Sequence, residues 1–395
     1  MKLKNLTISP EASLRNIGWN WMLGEDTLPY ITNEMVIVSE DDAENYFDAA
    51  NELYEMYIAA AQHVIDNERY TELGIPENLI ELIEDSWEND ANWHIYGRFD
   101  LSGGLDGKQI KLIELNADTA TCIPETAIVQ WASLKANGLD ESKQFNTLYE
   151  TFVEKFRELH RQNPSFEKTL LISTMKDFPE DDTNMQVLGE AAKEAGFEVA
   201  FDFIENVEFS ATEGIFKQNS SNGSFIKYDF WFKLIPWEYI GWDEPELAQI
   251  LTEISRNKKA VILNPAYTLL FQSKAILKVL WELYPNHPLL LETSSQSILG
   301  KTCVEKVLFG REGANVRIVS PSGTTETSTE GEYFEQNTVF QEYTEFLKDN
   351  AGNSREAFRY QAGVFFVGEA CGLGYRRGGK ILDNKAQFCG HLIED

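Results

Sequence analysis

The chain has 395 residues, of which 43% are hydrophobic and 12% aromatic, so it can bury a large core and is not expected to be disordered. Its 34 Lys and Arg against 64 Asp and Glu give a formal net charge of −30, which argues against nucleic acid or an anionic membrane as a partner. The same charge is compatible with a cationic ligand, although solubility alone would also explain it.

The four cysteines show neither CxxC spacing nor the density of a disulfide framework; they are Cys122, Cys303, Cys371 and Cys389. This usage favours reduced thiols in a cytoplasmic protein. The first residues include two lysines but lack the apolar core of a signal peptide. No stretch approaches the roughly 20 apolar residues that cross a bilayer, so we expect a cytoplasmic protein without a membrane partner.

Amphipathic patterns dominate the beginning of the chain. Apolar residues recur with a helical period over residues 40–67, and Ser39 with Asp42 resembles a capping box in which Asp replaces Glu. Shorter helices are predicted over residues 76–87 and, further on, over residues 146–161. We therefore expect N-terminal helices ahead of the first strand pair.

A β-hairpin is predicted around the glycine-rich turn of residues 102–108. Glycines in this turn supply the backbone freedom that a hairpin loop needs. Folding the chain there places Asp100 near Glu114 and Arg98 near Asn116. Two adjacent strands would thus carry charged residues close together.

Because side chains alternate along a strand, one face of this hairpin is polar and the other apolar. The apolar face holds Phe99, Ile113 and Leu115, and the polar face holds Arg98, Asp100, Glu114, Asn116 and Asp118. Three oxygen-bearing side chains at these positions suit Mg²⁺ bridging to phosphates, and Arg98 would contact a phosphoryl oxygen. The alternative is a solvated face with cross-strand Arg–Asp pairing, and the residues alone favour neither.

Between residues 168 and 263 the pattern changes to strands that alternate with helices. The apolar runs of strand length are 169–174, 198–204, 229–235 and 260–264. Helical patterns at 184–196 and 245–255 lie between some of them. This alternation predicts an α/β unit with a largely parallel sheet, in which residues 217–224 form a polar surface loop.

The next segment contains a helix predicted over 273–284 and, over 306–319, a strand, a glycine loop and a second strand. The loop 310–313 can present backbone N–H groups to phosphates. It does not match the GxxxxGK[ST] pattern, so a plain hairpin is the alternative. Lys274 and Lys306 are placed to reach one triphosphate, although lone lysines are more often surface residues.

The C-terminal part offers three further features. An apolar run around Gln341 and Glu342 can present backbone groups to a purine edge. Residues 320–333 are of low complexity, and a glycine-rich segment near the end carries Arg376 and Arg377.

Five segments occur in an order that resembles a known family. They are GRFDLSGGLDGKQIKLIELNADTAT, SKAILKVLWELYPNHP, FGREGANV, VFQEY and the final GLGYRR…ILDN…F…H. Together they resemble the synthetase domain of glutathionylspermidine synthases and their short relatives, a branch of the ATP-grasp carboxylate–amine ligases. The likeness runs from about residue 15 to the C-terminus and is looser over residues 168–265.

The resemblance implies a role for each matching residue. Arg98 would be the arginine that stabilises the phosphoryl-transfer transition state. The Mg²⁺ ligands would be Asp100, Glu114 and Asn116. The ATP-binding residues would be Lys274, Lys306, Gly310, Arg311, Glu312, Gly313, Gln341, Glu342 and Tyr343.

The resemblance also implies a site for two further substrates. The acid would meet the loop after the hairpin and one of the two neighbouring arginines, and the amine would meet a carboxylate cluster near Glu180, Asp181 and Asp182. A solvated first turn of a helix explains that cluster equally well. The substrate-binding candidates are Asp118, Thr119, Thr121, Glu180, Asp181, Arg376 and Arg377.

The fold implied by the resemblance is α/β (α+β), ATP-grasp-like with an additional α/β substrate unit of the pre-ATP-grasp type. Residues 1–120 would hold the N-terminal helices and the metal-binding strand pair, and residues 121–267 the substrate-binding unit. Residues 268–345 would form the nucleotide-binding lid, and residues 346–395 the C-terminal part of the ATP-grasp core.

The expected activity is an ATP- and Mg²⁺-dependent ligation that forms an amide through an acyl phosphate. The acid would be a small molecule such as a peptide, and the amine a small molecule such as a polyamine. The amidase domain of the bifunctional relatives has no counterpart in the sequence, so hydrolysis of the product is not expected. The alternatives are a kinase-like transferase that stops at a phosphorylated product and a non-catalytic protein that binds nucleotide or polyamine.

Overall fold

The computed structural model describes residues 1–24, 29–89, 94–219, 222–333, 336–349 and 357–394. The α-helices in these ranges are α1 (Glu11–Ile17), α2 (Glu40–Asp66), α3 (Ile80–Glu88), α4 (Gln130–Ala136), α5 (Leu148–Gln162), α6 (Pro179–Glu194), α7 (Trp237–Asp243), α8 (Pro245–Arg256), α9 (Thr268–Gln272) and α10 (Ile276–Leu283). The β-strands in these ranges are β1 (Leu3–Asn5), β2 (Ile31–Val38), β3 (Gly97–Ser102), β4 (Lys111–Asn116), β5 (Thr169–Thr174), β6 (Glu198–Phe203), β7 (Val207–Ser210), β8 (Gly214–Gln218), β9 (Phe225–Tyr228), β10 (Phe230–Lys233), β11 (Val261–Leu263), β12 (Thr293–Ser294), β13 (Cys303–Val307), β14 (Arg317–Val319), β15 (Thr325–Ser328), β16 (Thr338–Glu342), β17 (Leu347–Lys348), β18 (Arg359–Phe366), β19 (Ala370–Gly378) and β20 (Gln387–Ile393).

The largest sheet combines strands from both ends of the chain. Its order is β1-β2-β20-β19-β18-β3-β4, with β17 paired to β18. Helix α2 packs against β18 and β19 and begins at the predicted capping box. There the Asp42 N–H donates to Ser39 Oγ at 3.1 Å, and the Ser39 N–H donates to the Asp42 carboxylate at 3.3 Å.

The predicted hairpin is present, and its predicted register is confirmed. Strands β3 and β4 are antiparallel, with Arg98 opposite Asn116 and Asp100 opposite Glu114. The turn requires Gly103, which has a φ of +81° and whose Cβ would lie 2.0 Å from a carbonyl oxygen across the turn. Only glycine tolerates this combination, so the turn residues fix which side chains meet across the strands.

One side chain departs from the predicted alternation. The register shifts between Asp100 and Leu101, which leaves Ile113 of β4 without a cross-strand partner. Ile113 lines the large cavity beside the sheet instead of joining Phe99 and Leu115 on the apolar face. The prediction for Ile113 was wrong because alternation alone does not reveal a bulge.

The middle of the chain contains the predicted parallel sheet. Its order is β11-β10-β5-β6, and each pairing is parallel. The small antiparallel sheet of β7, β8 and β9 lies beside it. The polar loop predicted over 217–224 is shorter than expected, since β8 ends at Gln218, and its residues 220 and 221 lie outside the described residues.

A further antiparallel sheet has the order β12-β16-β13-β14-β15. Its β13–β14 hairpin confirms the predicted strand, loop and strand over 306–319. The low-complexity stretch 320–333 contributes β15, and α10 covers the central part of the helix predicted over 273–284. We call this sheet and its loop 308–316 the lid.

The chain is therefore a mixed α/β protein with several sheets, as predicted. Its four cysteines are buried and unpaired. Among the helices of the described ranges, none is both long enough and apolar enough to cross a membrane. The domain boundaries stay a prediction.

Candidate functional site

A cavity of about 650 Å³ opens where the large sheet, the lid and the parallel unit meet. Its walls come from β3 and β4, from β13 and β16, from the loop 308–316 and from the first turn of α6. The predicted site residues that line it are Arg98, Asp100, Glu114, Asn116, Thr119, Thr121, Glu180, Asp181, Lys274, Lys306, Gly310, Arg311, Glu312, Gly313, Gln341, Glu342, Tyr343 and Arg376.

Asp118 does not share the face of Asp100, and that expectation was wrong. Its side chain is fully buried, where it accepts hydrogen bonds from Lys233 Nζ at 2.9 Å and from the Trp237 N–H at 2.9 Å. Strand β4 ends at Asn116, so the strand alternation no longer governs where Asp118 points.

The structure distinguishes the two neighbouring arginines. Arg376 lines the cavity, and its Nη2 donates to the Asp383 carbonyl oxygen at 2.9 Å. Arg377 is outside the cavity lining and pairs with Glu34 of β2, which lies toward the end of the large sheet away from β3 and β4. This separation follows from the alternation of side chains along β19, and it leaves Arg376 as the candidate for the acid.

Arg98 is buried in the cavity wall and held from two sides. Its Nε donates to Asp100 Oδ1 at 2.9 Å, and its Nη1 donates to the Thr121 carbonyl oxygen at 2.6 Å. Asn116 Nδ2 donates to the other Asp100 oxygen at 3.1 Å. Burial opposes the positive charge, but Asp100 outweighs it and raises the pKa of Arg98, so the guanidinium stays charged.

Glu114 lies between two lysines. Lys274 Nζ is 3.3 Å from Glu114 Oε2 and donates to the Gly310 carbonyl oxygen at 2.6 Å. Lys306 Nζ donates to Gln341 Oε1 at 2.9 Å. Burial would raise the pKa of Glu114, but the charges of Lys274 and Lys306 lower it below its ordinary value. Burial lowers the pKa of Lys306 to about 8, against the opposing effect of Glu114.

The donor set around Glu114 fits a hard divalent cation that is shared with phosphate. No group of three or more His, Cys, Asp or Glu side chains that could hold a metal occurs in the described part of the chain. Asp100 and Glu114 nevertheless face each other across β3 and β4, and Asn116 adds an amide oxygen. Mg²⁺ is commonly bound by one or two carboxylates with substrate phosphates and water completing its ligands, so Asp100, Glu114 and Asn116 are the candidates to hold it.

The loop 308–316 is anchored at several points around the cavity. The Gly310 carbonyl oxygen accepts from Lys274, and Arg311 Nη2 lies 2.6 Å from Glu238 Oε1. Gly313 has a φ of +66° and passes so close to the C-terminal segment that a Cβ would lie 2.2 Å from the Leu382 carbonyl oxygen. The loop therefore has a defined position over the cavity.

The end of the cavity at α6 is acidic. Burial raises the pKa of Glu180, and the charge of Glu312 on the loop adds to the shift. Burial and the neighbouring charges of Glu180 and Asp182 raise the pKa of Asp181 to about 7. Asp182 itself accepts a hydrogen bond from Thr174 Oγ1 at 2.9 Å and is not part of the cavity lining.

Of the aromatic residues that line the cavity in the described part of the chain, Tyr343 was predicted, whereas Trp21, Phe178, Tyr239, Tyr333 and Phe346 were missed. The Trp21 indole donates to Thr183 Oγ1 at 2.8 Å and so connects the N-terminal segment to α6. These five residues come from separate segments and share no motif, so no signal in the sequence could have found them.

Comparisons with known proteins agree on one family. A family model described as glutathionylspermidine synthase preATP-grasp matches residues 2–394. A Haemophilus influenzae protein named "Putative acid–amine ligase" is 31% identical over 364 residues, which are 88% of this chain and 86% of that protein. The bifunctional glutathionylspermidine synthetase/amidase of Escherichia coli is 24% identical over 357 residues, which are 81% of this chain but only 53% of that protein.

Among solved structures, a glutathione synthetase-like effector from Globodera pallida matches with a TM-score of 0.55 and 10% identity. The match covers 99% of this chain and 100% of that chain, and at this identity it concerns the fold alone. The fold class predicted from the sequence is confirmed by the family model together with this structural match. The chain belongs to the glutathionylspermidine synthase family and is a C–N ligase of the acid–amine type.

Proposed function

We propose that this protein uses ATP and Mg²⁺ to join a small-molecule acid to an amine through an acyl phosphate, without amidase activity. One observation carries the proposal: two buried lysines, a buried arginine with carboxylates beside it, and an acidic wall all border one cavity. The first two suit phosphoryl transfer, and the third suits a cationic amine. A cavity for nucleotide alone would have no use for the acidic wall.

Lys274 and Lys306 would bind the ATP phosphates beneath the loop 308–316. Lys274 lies just before α10 and Lys306 lies on β13, so their ammonium groups approach the cavity wall from these two elements. Both lysines are buried. Mg²⁺ held by Asp100, Glu114 and Asn116 would neutralise charge on the phosphates. Gln341, Glu342 and Tyr343 border the same cavity and would line the adenine.

The acid carboxylate would attack the γ-phosphorus, and the bond from that phosphorus to the ADP oxygen would break. Arg98 would stabilise the charge on the transferred group, because its guanidinium is fixed by Asp100 and the Thr121 carbonyl before any substrate arrives. Removing one preorganised donor of this kind typically costs about a hundredfold in rate or more. Arg376, Thr119 and Thr121 would hold the acid.

The amine would then attack the acyl carbon, lose a proton and displace inorganic phosphate. A neutral amine is needed for attack, whereas a polyamine arrives with several positive charges. Glu180 and Asp181 would hold the distal ammonium groups while one end reacts. The chemistry requires positioning and charge neutralisation and no nucleophilic side chain of the protein.

The names of the relatives support a class for the two substrates. The Escherichia coli relative is named for a product that joins a glutathionyl group to spermidine. We extend the class, a small peptide acid and a polyamine, to this chain. Its four buried, unpaired cysteines also support a reducing compartment, so we assign the reaction to the cytoplasm.

The test is ADP release measured across a panel of small peptides and amines. We expect release that requires one acid and one amine together. Release with the acid alone and an accumulating phosphorylated product would indicate a kinase-like transferase. Binding of nucleotide without any ADP release across the panel would indicate a non-catalytic protein.

A further inference from the structure

A chain of buried charges ends on the loop 308–316. Glu238, at the start of α7, is fully buried and pairs with Arg311 of the loop. Behind it, Lys233 and Asp118 form a second ion pair whose side chains are fully buried, at 2.9 Å. None of Glu238, Lys233 and Asp118 lines the cavity, so they are not explained by contact with a substrate.

We propose that Glu238 is a positioning residue, which acts through Arg311 to hold the loop 308–316 over the nucleotide phosphates. The inference rests on the proposed function and revises one part of it. The Arg311 side chain points to Glu238, so Arg311 would serve the nucleotide by fixing the loop backbone and not by contacting a phosphate itself.

Glu238 depends on Arg311 as the partner of its buried side chain. The nearby ammonium of Lys233 is already used, because it donates to Asp118 Oδ1 and to the Ile235 carbonyl oxygen and lies 4.2 Å from the centre of the Trp237 ring. Within the described residues, no polar partner other than Arg311 is found for the Glu238 carboxylate, and Arg311 Nη2 lies 2.6 Å from its Oε1. A buried charge that loses its partner is strongly destabilising.

Arg311 is held in turn by Glu238 and by a neighbouring aromatic ring. Burial opposes its charge, but Glu238 outweighs burial and raises the pKa of Arg311. The guanidinium also lies 5.5 Å from the centre of the Tyr239 ring, which favours a cation over the ring face. Moving the loop away would separate Arg311 both from Glu238 and from the Tyr239 ring.

Nucleotide binding would leave the pair of Arg311 and Glu238 in place. Lys274 donates to the Gly310 carbonyl oxygen and is also a proposed phosphate ligand. If Lys274 turns to a phosphate, the loop loses that hydrogen bond. The pair of Arg311 and Glu238 does not involve the phosphates, so it remains as an anchor of the loop during the reaction.

The test compares three variants with the native protein. Glu238→Gln removes the carboxylate charge, and the double variant Glu238→Gln/Arg311→Gln removes both charges so that no buried charge is left unpaired. The control is Glu305→Gln, which breaks an ion pair with Arg317 between β13 and β14 of the same lid but outside the cavity lining. The measurements are thermal unfolding, hydrogen exchange of residues 308–316 without nucleotide, and calorimetric affinity for a non-hydrolysable ATP analogue with Mg²⁺.

In both Glu238 variants we expect faster hydrogen exchange over residues 308–316 and about tenfold weaker binding of the analogue. An effect of this size is typical of the coupling between residues in one ion-pair network. The double variant should regain thermal stability relative to Glu238→Gln without regaining affinity. If Glu238 only stabilised the fold, the double variant would regain both its thermal stability and its affinity for the analogue. Glu305→Gln should keep native exchange in the loop and native affinity.

Native exchange and native affinity in the double variant would overturn the inference while leaving the proposed function intact. Failure of the native protein to bind the analogue would instead overturn the proposed function. The two failures are therefore distinguished by the native protein measured beside the variants.

Discussion

At the scale of single residues, the site depends on charges that the protein fixes in advance. Arg98 and Asp100 neutralise each other inside the wall, and Glu114 stays anionic because Lys274 and Lys306 outweigh its burial. Arg98, Asp100, Lys274 and Lys306 are buried and the Glu114 side chain is 24% exposed, so each is sensitive to the loss of its partner. Substitutions that keep the shape and remove one charge therefore need a measurement of the fold beside the measurement of turnover.

The metal role of Asp100 and Glu114 predicts the effect of isosteric substitution. Asp100→Asn and Glu114→Gln should each lower ADP formation by about a hundredfold or more, because each removes a charged oxygen ligand next to the phosphates. Circular dichroism should show an unchanged fold. Normal turnover of either variant at saturating Mg²⁺ would exclude that residue as a ligand.

The raised pKa of Asp181 predicts how stability depends on pH. The group keeps its proton in the folded state up to about pH 7, whereas its ordinary pKa is 3.8, so the folded state binds an extra proton between these values. Its contribution to stability is therefore largest at low pH and is lost as the pH rises through 7. Urea unfolding should show Asp181→Asn stabilising the protein more at pH 8 than at pH 5. An equal stabilisation by Asp181→Asn at both pH values would contradict the raised pKa of Asp181.

At the scale of elements, local sequence patterns predicted pairings well and irregular positions poorly. The glycine turn set the register of β3 and β4, and the Ser39 capping box set the start of α2. The bulge at Ile113 and the reorientation of Asp118 were missed, because each depends on contacts with segments distant in sequence. The aromatic residues of the cavity other than Tyr343 were missed for the same reason.

The first turn of α6 predicts a separation of the kinetic constants. The double variant Glu180→Ala/Asp181→Ala should raise the KM for the amine strongly and leave the KM for ATP nearly unchanged. Added salt should weaken amine use in the native protein more than in the variant. Asp182→Ala is the matched control, since Asp182 shares the same helix turn but bonds to Thr174. Normal amine kinetics in the double variant would show that these carboxylates only form the first turn of the helix and do not bind the amine.

Gly313 offers a test of the lid as an element. Gly313→Ala adds a Cβ that would lie 2.2 Å from the Leu382 carbonyl oxygen, so the loop must move from the C-terminal segment and the KM for ATP should rise. Gly323→Ala is the control, because it has a φ of +81° but nothing within 4 Å of the added atom. Equal effects of the two variants on the KM for ATP would show that backbone strain, not the contact, is responsible.

At the scale of the whole molecule, the site exists only because distant parts of the chain converge. The strand pair of residues 97–116, the lid sheet and the first turn of α6 contribute one wall each, and β18 and β19 join the C-terminal segment to the same sheet. The class of fold and the ordered motifs were predictable from the sequence. Which arginine faces the cavity, and how the lid is anchored, required the packed structure.

The central claim is that the acid is activated as an acyl phosphate, and an isotope measurement tests it most directly. The acid of an active acid–amine pair is supplied with oxygen-18 in its carboxylate, and the products are analysed by mass spectrometry. Attack of the carboxylate on the γ-phosphorus predicts ADP and inorganic phosphate that carries one heavy oxygen, with the other retained in the amide. Inorganic phosphate without label, or label in AMP, would contradict the account.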